Sequence, residues 1–208
     1  QLFSSEGAKI AVVDIDGDRA EQTVKLVQEN GGDALAITAD VSKKDQITAA
    51  ADQTAEHFGK LDVAWANAGV ISRGGVPSVM GGEQVLFEDL TEQDWNDVLG
   101  VNLTGVIYTA QAAVPHLKAN GGGTIIATSS AASFLAYHDI SFYSATKAGV
   151  RRAHRLGLDL GSPRCDLPPL SRVHKLLKRG TPITAMTAAL SCSAWAASQA
   201  MARVKMGQ

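Results

Sequence analysis

The sequence predicts a doubly wound α/β fold, in which a parallel sheet carries helices on both faces. Three observations predict it. Short β-rich apolar runs alternate with segments whose apolar residues recur at helical spacing, glycines close those segments, and acids or small polar residues stand where the strands finish.

Taken in order, QLFSSEGAK reads as the tail of a helix with Gly7 as its stop. AKIAVVDID is a strand ending in acid, and GDRAEQTVKLVQENGG is the helix after it, with Ala20, Val24 and Val27 on one face. ALAITAD is the second strand. In VSKKDQITAAADQTAEHFG, Ser42 with Asp45 three residues on resembles a capping box, and Gly59 closes the helix. LDVAWANAG is the third strand. A polar, glycine-rich loop over 72–90 follows, after which Thr91 and Asp94 repeat the capping-box spacing and a long apolar-faced helix runs to about Lys118. GTIIATSS is the fourth strand, and a loop leads to the helix that bears Tyr143. Strands alternating with helices of this length make parallel βαβ units.

With 208 residues, 45% of them hydrophobic, and a formal charge of −2, the chain has one sizeable core and no call for a nucleic-acid or membrane partner. It has no run of 18 apolar residues, so no membrane span is predicted; it opens on Gln1, so an upstream targeting segment would not be visible. Cys165 and Cys192 lack metal or redox spacing, which argues against a disulfide framework and for a reducing, cytoplasmic setting. The average charge hides a split. Residues 1–150 carry 9 Lys/Arg against 19 Asp/Glu, whereas 151–208 carry 10 against 2.

In doubly wound sheets ligands bind beyond the carboxyl ends of the strands. Those ends hold Asp14, Asp40, Asn67 to Gly69, and Ser129 with Ser130. An acid ending the second strand of a dinucleotide fold hydrogen-bonds the adenosine ribose, about 20 residues after a glycine-rich phosphate loop. Counting back from Asp14 puts that loop, and the first strand, before Gln1. Asp14 could equally be a turn or cap carboxylate, and so could Asp16.

Asp-Ile-Asp after a strand, then ADV, NAG, VNLTG, TSS and YSATK, stand in the order and spacing of the short-chain dehydrogenase/reductase family, which residues 1–150 resemble. Ser130 lies 13 residues before Tyr143, the separation that family typically shows. The resemblance implies a Rossmann-type sheet. One departure is Ala66, where the family often has a second Asn ahead of Asn-Ala-Gly, and it implies a lost local hydrogen bond rather than lost activity.

Hydride transfer between an alcohol carbon and a nicotinamide needs a proton acid/base on the oxygen. Tyr143 is the candidate: a phenol of ordinary pKa ~10 is a poor base at neutral pH, but a cation one helical turn away favours the phenolate. Lys147, four residues on, supplies that cation. The resemblance further implies that Lys147 bonds the nicotinamide ribose, Ser130 donates to the substrate oxygen, and Asn102 anchors a water leading to Lys147. It gives Asp40 and Val41 to the adenine, and Asn67, Ala68 and Gly69 to the cofactor through backbone. A carboxylate at Asp14 repels a 2′-phosphate, so NAD rather than NADP is expected. Against these stand plainer roles: Tyr143 as a surface aromatic, Lys147 as a solvated charge, Asn102 as a backbone-bonded amide, Asp40 as a cap. Ser129 reads as a bystander. His57, His116 and His138 lack metal spacing, and His138 falls in a loop that faces substrate in the family. Relatives form dimers and tetramers through the helix ending near Lys118 and the helix of Tyr143, so a homo-oligomer is expected.

Residues 1–150 therefore read as a partial dinucleotide-binding domain and 151–208 as an atypical basic segment. That segment carries none of the family's continuing motifs, and Pro168, Pro169 and Pro182 break any long element. Its composition suits a shifted reading frame, an alternative terminal exon, or a genuine basic tail. TAMTAALSCSAWAASQAMARV could form a helix on composition. The expected sheet thus lacks a central first strand and recognisable last strands, and the chain by itself is expected to be aggregation-prone or partly folded, with no NAD-dependent thermal shift and no competent activity. The expected activity is NAD(H)-dependent interconversion of a secondary alcohol and a ketone. A non-catalytic dinucleotide-binding or scaffold protein and a nucleotide-sugar epimerase or dehydratase are the alternatives.

Overall fold

A computed structural model describes residues 2–71, 86–135, 140–153 and 184–188. In chain order the elements are α1 (Leu2–Ser5), β1 (Lys9–Asp14), α2 (Gly17–Gln28), β2 (Ala34–Thr38), α3 (Lys44–Phe58), β3 (Val63–Ala66), α4 (Glu92–Leu99), α5 (Gly105–Ala119), β4 (Thr124–Ala127), α6 (Ser141–Ala153) and β5 (Thr184–Ala188). A π turn over Gly100–Thr104 joins α4 to α5, and short 3-10 turns lie at Phe87–Asp89 and Ala131–Ser133.

The strands form one parallel sheet in the order β2-β1-β5-β3-β4. β1 is buried on both faces, as parallel strands under two helical layers must be. Its Ala11 and Val13 join Ile37, Ile47, Leu61, Ala113 and Leu117 in one core cluster. Its Ile10 and Val12 join Val24, Val27, Ala34 and Val63 in the other. The doubly wound architecture expected from the sequence is thus the one found.

The central place is where the structure corrects the expectation. Instead of a helix beginning at Thr184, residues Thr184–Ala188 form a strand that pairs with β1 from Lys9↔Thr184 to Val13↔Ala188 and with β3 from Val63↔Ala185 to Trp65↔Thr187. Inward N–H and C=O groups of β1 and β3 would otherwise lack partners, and satisfying them outweighs the helix preference of Ala and Met. Met186 is 2% exposed and sits in the cluster with Leu61 and Leu117.

Helix ends follow local chemistry. Gly7, Gly31 and Gly59 take φ of 86°, 77° and 80° at the expected stops. Thr91 and Asp94 form the expected capping box: Thr91 N–H donates to Asp94 Oδ2 at 2.8 Å and Asp94 N–H to Thr91 Oγ1 at 3.2 Å. The Ser42 capping box does not form. Both the N–H and the hydroxyl of Ser42 donate to Asp40 Oδ1, at 2.8 and 2.7 Å, so α3 starts after Lys43 without a side-chain cap. The helical run Glu92–Ala119 is long and apolar enough by composition to cross a membrane. Yet Ala112, Ala113 and Leu117 lie in the sheet core, the position of a core helix.

Candidate active site

α6 is seated by its apolar residues. Val150, 1% exposed, packs with Ala66 of β3 and Val106 of α5. Phe142 meets Trp95 of α4 edge-on, with ring centroids 5.1 Å apart. Val150 shares a helical face with Tyr143 and Lys147, so this seating turns that face toward the ends of β3 and β4. Lys147 is 3% exposed, and its Nζ donates to Thr128 O at 2.9 Å. Burial lowers its pKa from 10.5 to about 8. Half-buried Tyr143 stands one turn earlier, with its ring centroid 5.6 Å from Lys147 Nζ.

Asn102 is fully buried in the π turn. Its Oδ1 accepts from Val70 N–H at 2.8 Å, and its Nδ2 donates to Val70 O at 2.9 Å and to Thr146 Oγ1 at 3.2 Å. The Thr146 hydroxyl in turn donates to Tyr143 O at 2.8 Å. Asn102 therefore ties the loop after β3 to the helix of Tyr143; its backbone partner is Val70, not its own helix. Gly69 lies in the same place. A Cβ there would come within 3.4 Å of both Asn102 Oδ1 and Lys147 Nζ, so any larger residue would crowd the pair.

The two serines after β4 divide their work. Ser129 Oγ donates to Lys147 O at 3.0 Å, so the expected bystander fastens α6 to the strand end. Ser130 Oγ accepts from Ala132 N–H at 3.2 Å, and among the described residues its own proton has no recorded acceptor. Two further residues escaped the sequence reading. Trp65 Nε1–H donates to Thr128 Oγ1 at 2.9 Å, and that hydroxyl donates to Asn67 Oδ1 at 2.5 Å. Thr128 lay inside the quoted TSS motif, but the motif directs attention to its last serine.

Asp14 and Asp40 stand apart from this group, at the ends of β1 and β2. Asp16 is the cap of α2: it accepts from Arg19 N–H at 3.2 Å and from Arg19 Nε–H at 2.9 Å. Those bonds from Arg19 hold the Asp16 carboxyl below its ordinary value. Asp14, 7% exposed, accepts only from Asp16 N–H, at 2.9 Å, among the described residues, which leaves its Oδ2 without a recorded partner. Asp40 spends Oδ1 on Ser42, as a turn carboxylate does. Val41, Ala66, Ala68, Val101 and Val106 line an apolar hollow beside the start of α5. His116 pairs with Asp52 at 2.8 Å, His57 stacks edge-on with Phe58, and no metal-ligand cluster occurs among the described residues. His138 and loop residues 72–85 lie outside them.

Chemically, the arrangement offers a phenol beside a buried ammonium, a serine hydroxyl, and, across the sheet, a strand-end carboxylate. Residues 1–160 match the family model described as short chain dehydrogenase. The chain is 38% identical over 176 residues to a (-)-trans-carveol dehydrogenase of Rhodococcus erythropolis, covering 78% of this chain and 60% of that protein. It is 33% identical over 149 residues to a cyclohexanol dehydrogenase of Acinetobacter sp. (strain SE19), covering 72% of this chain and 55% of the relative. Among solved structures, a carveol dehydrogenase from Mycobacterium avium in complex with NAD superposes with a TM-score of 0.66 at 31% identity, over 76% of this chain and 59% of that one. A gluconate 5-dehydrogenase from Burkholderia cenocepacia in complex with NADP and tartrate gives 0.62 at 30% identity, over 72% and 55%. The chain spans little more than half the length of the curated relatives it matches. Sheet order, buried lysine and family match converge, and the chain belongs to the short-chain dehydrogenase family.

Proposed function

We propose that the protein is an NAD(H)-dependent oxidoreductase interconverting a secondary alcohol and a ketone. The observation that carries this is the burial of Lys147 one helical turn from Tyr143, its ammonium held by Thr128 O at 2.9 Å. A buried cation without a carboxylate partner is expensive, and such groups concentrate at functional sites. Tyr143 takes the proton from the alcohol oxygen, and Lys147 favours the phenolate that receives it. Ser130 donates to the same oxygen, and Asn102 anchors a water leading to Lys147. The nicotinamide, when bound, supplies the hydride acceptor. Its ribose would meet Lys147, and its adenosine end would meet Asp14, Asp40, Val41 and the backbone of Asn67 to Gly69. The strand-end carboxylate of Asp14 supports NAD over NADP, since a 2′-phosphate would face it. The names of the carveol and cyclohexanol dehydrogenases support an alcohol substrate. The reducing, cytoplasmic setting rests on Cys165 and Cys192 lacking metal or redox spacing in the sequence, and pairing of copies through α5 and α6 is part of the same proposal.

One observation favours a non-catalytic dinucleotide-fold protein instead. Residues 151–208 carry none of the family motifs that would continue into a substrate lid. Titrating the chain with NADH and NADPH, and then assaying a panel of secondary alcohols with NAD, separates the two. Binding of NADH with turnover of at least one alcohol supports the proposal; binding with no turnover across the panel selects the non-catalytic alternative.

A further inference from the structure

We propose that Trp65 is a positioning residue for Lys147, acting through Thr128; this rests on the assignment of Lys147 as the partner of Tyr143. Trp65 stands on β3 two residues before Asn67, its ring edge-on to Phe3 of α1 at 5.8 Å between centroids. Its indole N–H donates to Thr128 Oγ1 at 2.9 Å. The Thr128 hydroxyl proton is thereby directed to Asn67 Oδ1 at 2.5 Å. The Thr128 N–H donates to Ala66 O at 3.1 Å, and its carbonyl accepts from Lys147 Nζ at 2.9 Å. Every polar group of Thr128 is engaged. Three bonds tie it to β3 and its flank, and the fourth holds the ammonium.

Thr128 lies one residue beyond β4, where regular strand pairing no longer fixes the peptide plane. The side-chain bonds take over that task, setting the rotamer and with it the direction of the carbonyl. The ammonium depends on that direction. Lys147 is 3% exposed, the Thr128 carbonyl is its recorded hydrogen-bond acceptor, and no ion pair among the described residues reaches it. Beside it are Tyr143 on its own helix and Gly69 after β3. An aliphatic residue at position 65 would fill space but would bring no donor, whereas a half-buried indole seeks a partner for its N–H.

The test is an NMR titration of the lysine side chains in the full chain. Trp65→Phe keeps an aromatic ring against Phe3 and deletes the donor. The Lys147 pKa should fall by a further ~0.5 unit, because a loosened carbonyl favours the charged form less. Thr128→Val should give at least as large a fall, Thr128→Ser should keep the parent value, and the double variant Trp65→Phe/Thr128→Val should fall no further than Thr128→Val alone, which already lacks the acceptor of the indole N–H. An unchanged Lys147 in Trp65→Phe, or falls that add in the double variant, would overturn the proposal. If Trp65→Phe does not fold, equal titrations of Thr128→Val and Thr128→Ser overturn it alone. The signal is a proton on Lys147 rather than turnover, so this result stands apart from whether Tyr143 proves catalytic.

Discussion

Asn102 offers the sharpest test of how the site is held together. Replacing it with Leu keeps a similar volume but removes three hydrogen bonds, at 2.8, 2.9 and 3.2 Å. Thr146 keeps its bond to Tyr143 O, so the cost falls on Val70, whose N–H and C=O both lose their partner. A buried polar group left unpaired costs about 1–3 kcal/mol. Val70 is half-buried, so water can reach part of the pair, and a loss of about 2–4 kcal/mol is expected. Against a typical domain stability of about 5–15 kcal/mol that is a large fraction. Urea melts followed by tryptophan fluorescence should show a lower midpoint with an unchanged slope. Hydrogen exchange should show the Val70 amide protected in the parent and fast in the variant. A loss below ~1 kcal/mol with Val70 still protected would refute the claim that Asn102 holds this loop.

Three further outcomes follow from named contacts. The Lys147 pKa, lowered by burial from 10.5 to about 8, means that the folded state releases this proton before the unfolded state does, so the penalty of burying the cation is full below pH 8 and is relieved as pH rises toward 10.5. Stability of Lys147→Met relative to the parent should therefore fall by up to about 3 kcal/mol across that window, and a pH-independent difference contradicts this. Asp14→Ser should shift the ratio of NADPH to NADH affinity by roughly tenfold or more toward NADPH; an unchanged ratio moves the selecting role away from Asp14. Met186→Ala should cost about 2–5 kcal/mol if β5 holds the sheet centre, and a loss below about 1 kcal/mol in a chemical melt argues that it does not.

Much of this architecture was legible in the sequence because periodicity and helix punctuation agree over residues 1–150. Ala20, Val24 and Val27 all turn inward, Gly59 takes the left-handed conformation its position demanded, and Thr91 caps α4. Ser42 was misread because its backbone N–H, which a capping box would give to Asp45, goes to the nearer Asp40 together with its hydroxyl proton. β5 was misread for a different reason. Helix propensity is local, whereas the demand for a strand comes from β1 and β3, far away in sequence. At the site, spacing could bring Tyr143 and Lys147 onto one helical face, but only the fold brings Asn102 and Thr128 to them. The Trp65 bond to Thr128, 63 residues away, leaves no periodic trace.

The central claim is that Tyr143 carries the proton in an alcohol–ketone interconversion. Steady-state oxidation of a secondary alcohol by NAD, with NADH binding measured in parallel, tests it in the parent chain and in Tyr143→Phe. The account predicts that the variant binds NADH as the parent does while kcat falls by about two orders of magnitude or more, since only the proton-transferring oxygen is removed. A variant that keeps most of the parent's kcat would contradict it.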